Sequence, residues 1–89
     1  MLQQFFSSKT RVSLLMLFMS NPEKSYYLRE ISKILGESLT PIRRELINLK
    51  EAGLLEDEHV ANLIYYKVRK DFIFYEELKS MIEKEIELV

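Results

Sequence analysis

Thr40 to Leu55 reads TPIRRELINLKEAGLL, and the interpretation of the whole chain turns on it. Pro41 has no amide hydrogen, and the first turn of a helix leaves its amides unpaired in any case. Thr40, just before it, offers a hydroxyl that accepts from one of those amides. The spacing predicts a helix over residues 40–52. Ile42, Leu46 and Leu49 recur at intervals of four and three and draw one apolar stripe along it. Gly53 supplies the left-handed stop that glycine adopts at least cost. Opposite the stripe, at about 100° per residue, lie Thr40, Arg44, Ile47, Asn48 and Glu51, with Arg43 on the flank. A short capped helix, anchored on one side and offering two adjacent arginines and an amide on the other, suits insertion into a DNA major groove. An ordinary surface helix carries the same solvated charges, so the flanking segments have to decide.

Upstream, Gly36-Glu37-Ser38-Leu39 makes a tight connection into this helix. Ser38 is the alternative cap, which would start the helix two residues earlier. Leu28–Leu35 reads as a helix with Leu28, Ile31, Ile34 and Leu35 inward, closed by Gly36. Ser32 is a small residue on it, where a neighbouring helix can approach closely. Two helices joined by a few residues that include glycine make a helix-turn-helix. Ser25-Tyr26-Tyr27 is β-prone and short, and reads as a three-residue strand. Lys9–Ser20 reads as the first helix, with Val12, Leu15, Phe18 and Met19 on one side and Leu14 close by. Ser7 or Ser8 caps it and Asn21-Pro22 ends it. Its methionines read as core filler rather than metal ligands.

Downstream, Leu54–Glu58 and Leu63–Arg69 read as two strands joined by a loop over His59–Asn62, with Ile64, Tyr66 and Val68 on one face. Asp71 is a start signal for a last helix, from Phe72 or Ile73 to Leu88. Along it Tyr75, Leu78, Ile82, Ile86 and Val89 recur at three, four, four and three, with Met81 beside them and charged residues opposite. Such a stripe needs a cover. It either folds back on the first helix or meets its copy in a second chain. Because the stripe runs to the last residue, the sequence favours a homodimer held by Tyr75, Leu78, Met81, Ile82, Ile86 and Val89. Phe5 and Phe6 either cap the domain or join that contact. The resulting order is helix, strand, helix, helix, strand, strand, helix. That is a mainly α chain with a small β-hairpin, the plan of a winged helix-turn-helix with the hairpin as wing. Residues 1–70 form the winged domain and residues 71–89 the C-terminal amphipathic helix.

Composition bounds the answer. Eighty-nine residues make one small domain. Apolar residues at 47% and charged residues at 30% read as soluble and globular. With no cysteine, disulfides and thiolate zinc sites are excluded, which is compatible with a reducing cytoplasm. The longest apolar run, Leu14–Met19, is far too short to span a bilayer, and the N-terminus shows no signal-peptide pattern, so no membrane partner is expected. The net charge of -1 argues mildly against a strong nucleic-acid binder, but the charges are unevenly placed. Residues 1–53 carry eight Lys and Arg against five Glu, whereas residues 71–89 carry two Lys against six acids. The first part of the chain is the part that can face a polyanion.

GESLTPIRRELINLKEAGLL resembles the turn and recognition helix of winged-helix transcriptional regulators, in particular the ArsR- and MarR-like group. Gly36, Ile42, Leu46, Leu49, Ala52, Gly53 and Leu54 match that pattern in spacing. SSKTRVSLLMLF followed by SYYLREISKILG is similar to small prokaryotic winged-helix proteins of this kind, and NLIYYKV to a returning wing strand. The resemblance implies that double-stranded DNA is read by Ser38, Thr40, Pro41, Arg43 and Arg44, with Asn48 near the backbone. Lys33 and Lys50 are candidate phosphate contacts, and equally ordinary surface charges. Two departures matter. Glu37 stands where an apolar residue is usual, so Leu39 has to supply that packing while Glu37 points away from any phosphate. The hairpin carries Glu56-Asp57-Glu58-His59 in place of a basic wing. An acidic wing is lifted clear of DNA, or contacts a protein partner, or belongs to a domain that does not bind DNA.

No catalytic constellation is present, no cofactor is implied and no enzyme activity is expected. His59 is the lone histidine, and a metal site from Asp57, Glu58 and His59 is disfavoured because neighbours on a strand alternate faces. Tyr26-Tyr27 and Tyr65-Tyr66 read as strand packing rather than base-stacking platforms.

Overall fold

The computed structural model describes residues 8–88, and their side chains through Lys84; Phe5, Phe6, Val89 and the side chain of Ile86 lie outside what is described. Its elements are α1 (Lys9–Ser20), β1 (Tyr26–Tyr27), α2 (Leu28–Leu35), α3 (Leu39–Glu51), β2 (Leu55–Val60), β3 (Leu63–Val68) and α4 (Tyr75–Leu88). The order matches the one read from the sequence, and the first two helices keep their expected ends. At α1 the Ser8 hydroxyl accepts from the Arg11 amide at 3.3 Å. At α2 Glu30 accepts from the Tyr27 amide at 3.3 Å, and Gly36 closes the helix at φ +68°. Ile34, expected inward, is 51% exposed. On so short a helix the buried line runs through Leu28, Ile31 and Leu35, and Ile34 falls off its edge.

α3 starts at Leu39 with Ser38 as N-cap, one residue before the 40–52 expected. Pro41 tolerates the shift because every first-turn amide lacks an intrahelical acceptor. The other end is a Schellman stop. The Leu54 amide donates to Leu49 O and the Gly53 amide to Lys50 O, both at 3.0 Å, with Gly53 at φ +91°.

The three strands form one antiparallel sheet in the order β1-β3-β2. Tyr26 faces Tyr66, Leu55 faces Val68 and Val60 faces Leu63. The sheet and four helices enclose one core that includes Leu14, Leu15 and Phe18 of α1, Ile31 of α2, and Ile42, Leu46 and Leu49 of α3. Tyr26 lies edge-on to Phe18 at 5.4 Å between ring centres. Tyr75, Leu78 and Ile82 of α4 are buried in the same core at 5%, 0% and 2% exposure, and α4 packs on α1 of its own chain. Three of the side chains assigned to a dimer contact are thus occupied within one chain, while Met81 is 39% exposed. α4 also begins later than expected. The Arg69 guanidinium forks over Asp71, at 3.1 and 2.9 Å, so that carboxylate is not a helix cap. Phe72 and Tyr75 close two successive tight turns instead, and Phe72 lies over Gly53.

The hairpin is longer than its sequence suggests. β2 runs to Val60, and two residues, Ala61 and Asn62, replace the four-residue loop. Ala61 takes φ +55°, a position glycine fills without strain. Ala61→Gly is therefore expected to raise stability by about 0.5–1 kcal/mol. A higher urea midpoint at unchanged slope would show it, and a lower midpoint would contradict it.

Candidate nucleic-acid interface

α3 is held from three directions. Its stripe of Ile42, Leu46 and Leu49 is buried to 2% exposure or less. Within that stripe sits a charge the apolar spacing does not announce. Glu45 is 8% exposed, and its Oε2 accepts from Arg11 Nε of α1 at 2.5 Å. Before the helix, Ser32 Oγ donates to Glu37 O at 2.5 Å and clamps the turn. Glu37 itself accepts from Thr10 Oγ1 at 2.6 Å. Its charge is turned to α1 and away from the outer face of α3, and Leu39 is half-buried as its replacement in packing.

The outer face is then open. Ser38, Thr40, Arg43 and Arg44 are exposed and Pro41 is half-buried. Ser38 makes no capping bond with its side chain. Neither Arg43 nor Arg44 has an ion pair among the described residues. Asn48 is half-buried, and its amide makes a long bond of 3.4 Å to Glu45 Oε1. Lys33 is exposed on α2. Lys50 is exposed but engaged, donating to Asp57 of β2 at 2.8 Å. The positive face is thus continuous over Arg43 and Arg44 and broken at Lys50.

The hairpin register sorts the acidic wing. Directly opposed residues share a face, so Leu55, Asp57 and His59 go with Val68, Tyr66 and Ile64. That side faces α3, since Leu55 and Val68 are buried and Asp57 reaches Lys50. Glu56 and Glu58 lie on the other side, with Lys67 and Tyr65. Glu56 and Glu58, which make no ion pair within 4 Å among the described residues, therefore lie on the side away from α3, and Asp57, which points towards it, is neutralised by Lys50. Asp57 and His59 share a face that Glu58 does not, and among the described residues no cluster of three His, Asp or Glu could hold a metal ion.

Between the start of α2, α3 and β3 runs a cleft of about 240 Å³, lined by Arg29, Arg43, Tyr27, Asn62 and Tyr66 among others. Burial pushes the Tyr66 hydroxyl up from its ordinary value, with Asp57 adding to the effect. Nothing in the sequence pattern singles out Arg29. Its signal is position: it sits in the first turn of the helix before the turn, so it is exposed at the same opening as Arg43.

The Lys50–Asp57 contact has a definite pH window. Lys50 holds the Asp57 carboxyl below the usual carboxylate value by its hydrogen bond, and that same bond raises the Lys50 amine. A lowered acid stabilises the fold above its unfolded value and loses that contribution as pH falls through the folded one. A raised amine contributes below its unfolded value and loses that contribution as pH rises through the folded one. The latch is therefore closed across the neutral range. In Lys50→Ala the Asp57 carboxyl, followed by NMR, is expected to titrate at higher pH than in the unaltered chain. An unchanged midpoint would remove the latch.

The sequence matches no protein-family model, and no curated protein matches it. Solved structures do. HlyU from Vibrio cholerae, in its reduced form, superposes at TM-score 0.73 with 23% identity, over 98% of this chain and 83% of that one. The AntR antimony-specific transcriptional repressor gives 0.77 with 17% identity, over 98% and 72%. A predicted DNA-binding transcriptional regulator from E. coli gives 0.75 with 18% identity, over 99% and 85%. The fold is a winged helix-turn-helix. α2 and α3 are its helix-turn-helix, and β2 and β3 its wing.

Proposed function

We propose that this chain is a sequence-specific DNA-binding transcriptional regulator, acting in the cytoplasm as a homodimer and reading the major groove of double-stranded DNA with α3. One observation carries the reading. Arg43 and Arg44 stand exposed and unpaired among the described residues, on a helix whose opposite side is locked into the core. A guanidinium can donate two parallel hydrogen bonds to guanine O6 and N7. Ser38, Thr40 and the unpaired amides at the start of α3 hold a phosphate, as do Arg29 and Lys33 from α2. Of the solved structures that this fold matches, one is called a transcriptional repressor and another a predicted DNA-binding transcriptional regulator, which supports a related role here. In a homodimer, α4 is positioned by its buried Tyr75, Leu78 and Ile82 and meets its copy through the exposed Met81, with Ile86, Val89, Phe5 and Phe6 as further contacts.

Selection of bound sequences from a random duplex pool tests this. The expected product is a pair of inverted half-sites about 34–36 Å apart, bound with an affinity that falls steeply with salt. A pool without enrichment, or a binding curve flat in salt, overturns the proposal. The second reading is a winged-helix module that docks a protein rather than DNA. It is favoured by the outer face of the wing, where Glu56 and Glu58 are exposed beside Val60 and Leu63. A salt-insensitive chain that leaves the pool unchanged is its signature.

A further inference from the structure

On α3 one large apolar side chain is turned to solvent. Ile47 is 45% exposed, on the face opposite the buried Ile42 and Leu49. It follows Arg43 by four residues and Arg44 by three, so the three side chains share one side of the helix. A helix rises about 1.5 Å per residue, which sets Ile47 about 4.5–6 Å beyond the arginines along the axis. Base pairs stack about 3.4 Å apart. In a helix lying along the groove, Ile47 thus reaches a base pair one or two steps from those the arginines meet. Its branched side chain has a single strongly preferred rotamer in a helix, so its methyl groups are already placed and little freedom is lost on contact.

The major-groove edge of DNA offers one apolar group, the C5 methyl of thymine. The polar reader beside Ile47 is drawn off, because the Asn48 amide is half-buried against Glu45, which Arg11 holds. What this part of the face presents is two guanidinium groups and one branched hydrocarbon, with the exposed Glu51 one turn further along. We infer that Ile47 is a specificity-determining residue, packing on a thymine methyl one or two base pairs from the guanine that Arg44 contacts. The inference rests on the DNA-binding reading above and adds to it the composition of the half-site.

The test uses the full chain and the duplex enriched from the random pool. Each thymine is replaced in turn by deoxyuridine, which removes the methyl and nothing else. One replacement near the contacted guanine is expected to weaken binding about fourfold, the effect of one lost methyl contact. Ile47→Ala binds the thymine and uracil duplexes equally, and Ile47→Val keeps part of the preference. Being at the surface, both variants are expected to melt as the unaltered chain does, which circular dichroism checks. If no replacement matters while Arg44→Ala still loses its guanine preference, the thymine contact is overturned and the DNA-binding reading stands. If Ile47→Ala keeps the full preference, another residue reads the methyl and the inference fails. If the pool shows no enrichment, the DNA-binding reading and this inference fall together.

Discussion

Arg44→Ala is expected to lose about 1–3 kcal/mol of discrimination at one guanine of the selected site while binding random duplex almost as before. The asymmetry follows from what the side chain has available. Arg44 is exposed and has no ion pair among the described residues, so the substitution removes no contact that holds the fold. Its planar fork matches the two acceptors of guanine, and Arg44→Lys, a point charge, should recover little of the loss. Arg29→Ala is the useful contrast. On the proposed DNA-binding reading, its place at the opening of the cleft at the start of α2 assigns it to the phosphate backbone, so its removal should weaken all sequences alike and lower the salt slope by about one. The chain carries a net charge of -1, so bulk attraction cannot supply the affinity and local placement has to. Competition binding of wild type, Arg44→Ala and Arg29→Ala to the selected duplex and to single-base variants separates these roles. If Arg44→Ala weakens every duplex equally, Arg44 is a backbone contact and the specificity lies elsewhere.

How far the sequence carried depended on how local the cause was. The ends of α1 and α2 were legible because Ser8 and Gly36 act within a turn of where they stand. The wing reads short in the sequence because nothing marks Ala61 as a residue that takes φ +55°, where glycine is usual. The sequence sets the start of α4 too early because Asp71 looks like a cap, whereas Arg69, two residues before it, occupies its carboxylate. Summed over Glu56, Asp57 and Glu58, the wing reads as uniformly acidic. The period-two rule already separates Asp57 from Glu56 and Glu58, but which side faces the helices is decided by Leu55 and Val68 packing into the core. Within the candidate interface, Arg43 and Arg44 were visible from the stripe alone. The commitments of Asn48 and Lys50 were not, since their partners are revealed by packing rather than by pattern.

The deepest of those hidden causes is the Arg11–Glu45 pair, and its disruption is expected to have the largest effect on stability. The Glu45 side chain is 10% exposed and that of Arg11 19%, with 2.5 Å between Nε and Oε2. Arg11→Ala strands a carboxylate inside the Ile42–Leu46–Leu49 stripe, where among the described residues the long Asn48 bond is the side-chain contact left to meet it. Breaking one side of so covered a pair costs about 2–4 kcal/mol, against a total of roughly 5–15 kcal/mol for a small domain. At several degrees per kcal/mol in a chain of this size, a fall of roughly 10–25 °C in melting temperature follows. Replacing both partners by hydrocarbon tells a different story. Arg11→Met with Glu45→Leu removes the two charges of this pair together, and should lose less stability than Arg11→Ala alone. It also releases the Asn48 amide, so on the proposed DNA-binding reading the double variant should gain an adenine preference, through N6 and N7, beside the guanine assigned to Arg44. If Arg11→Ala melts within a degree or two of the parent, the pair is screened by water. The apolar stripe alone then fixes the angle at which α3 presents its arginines.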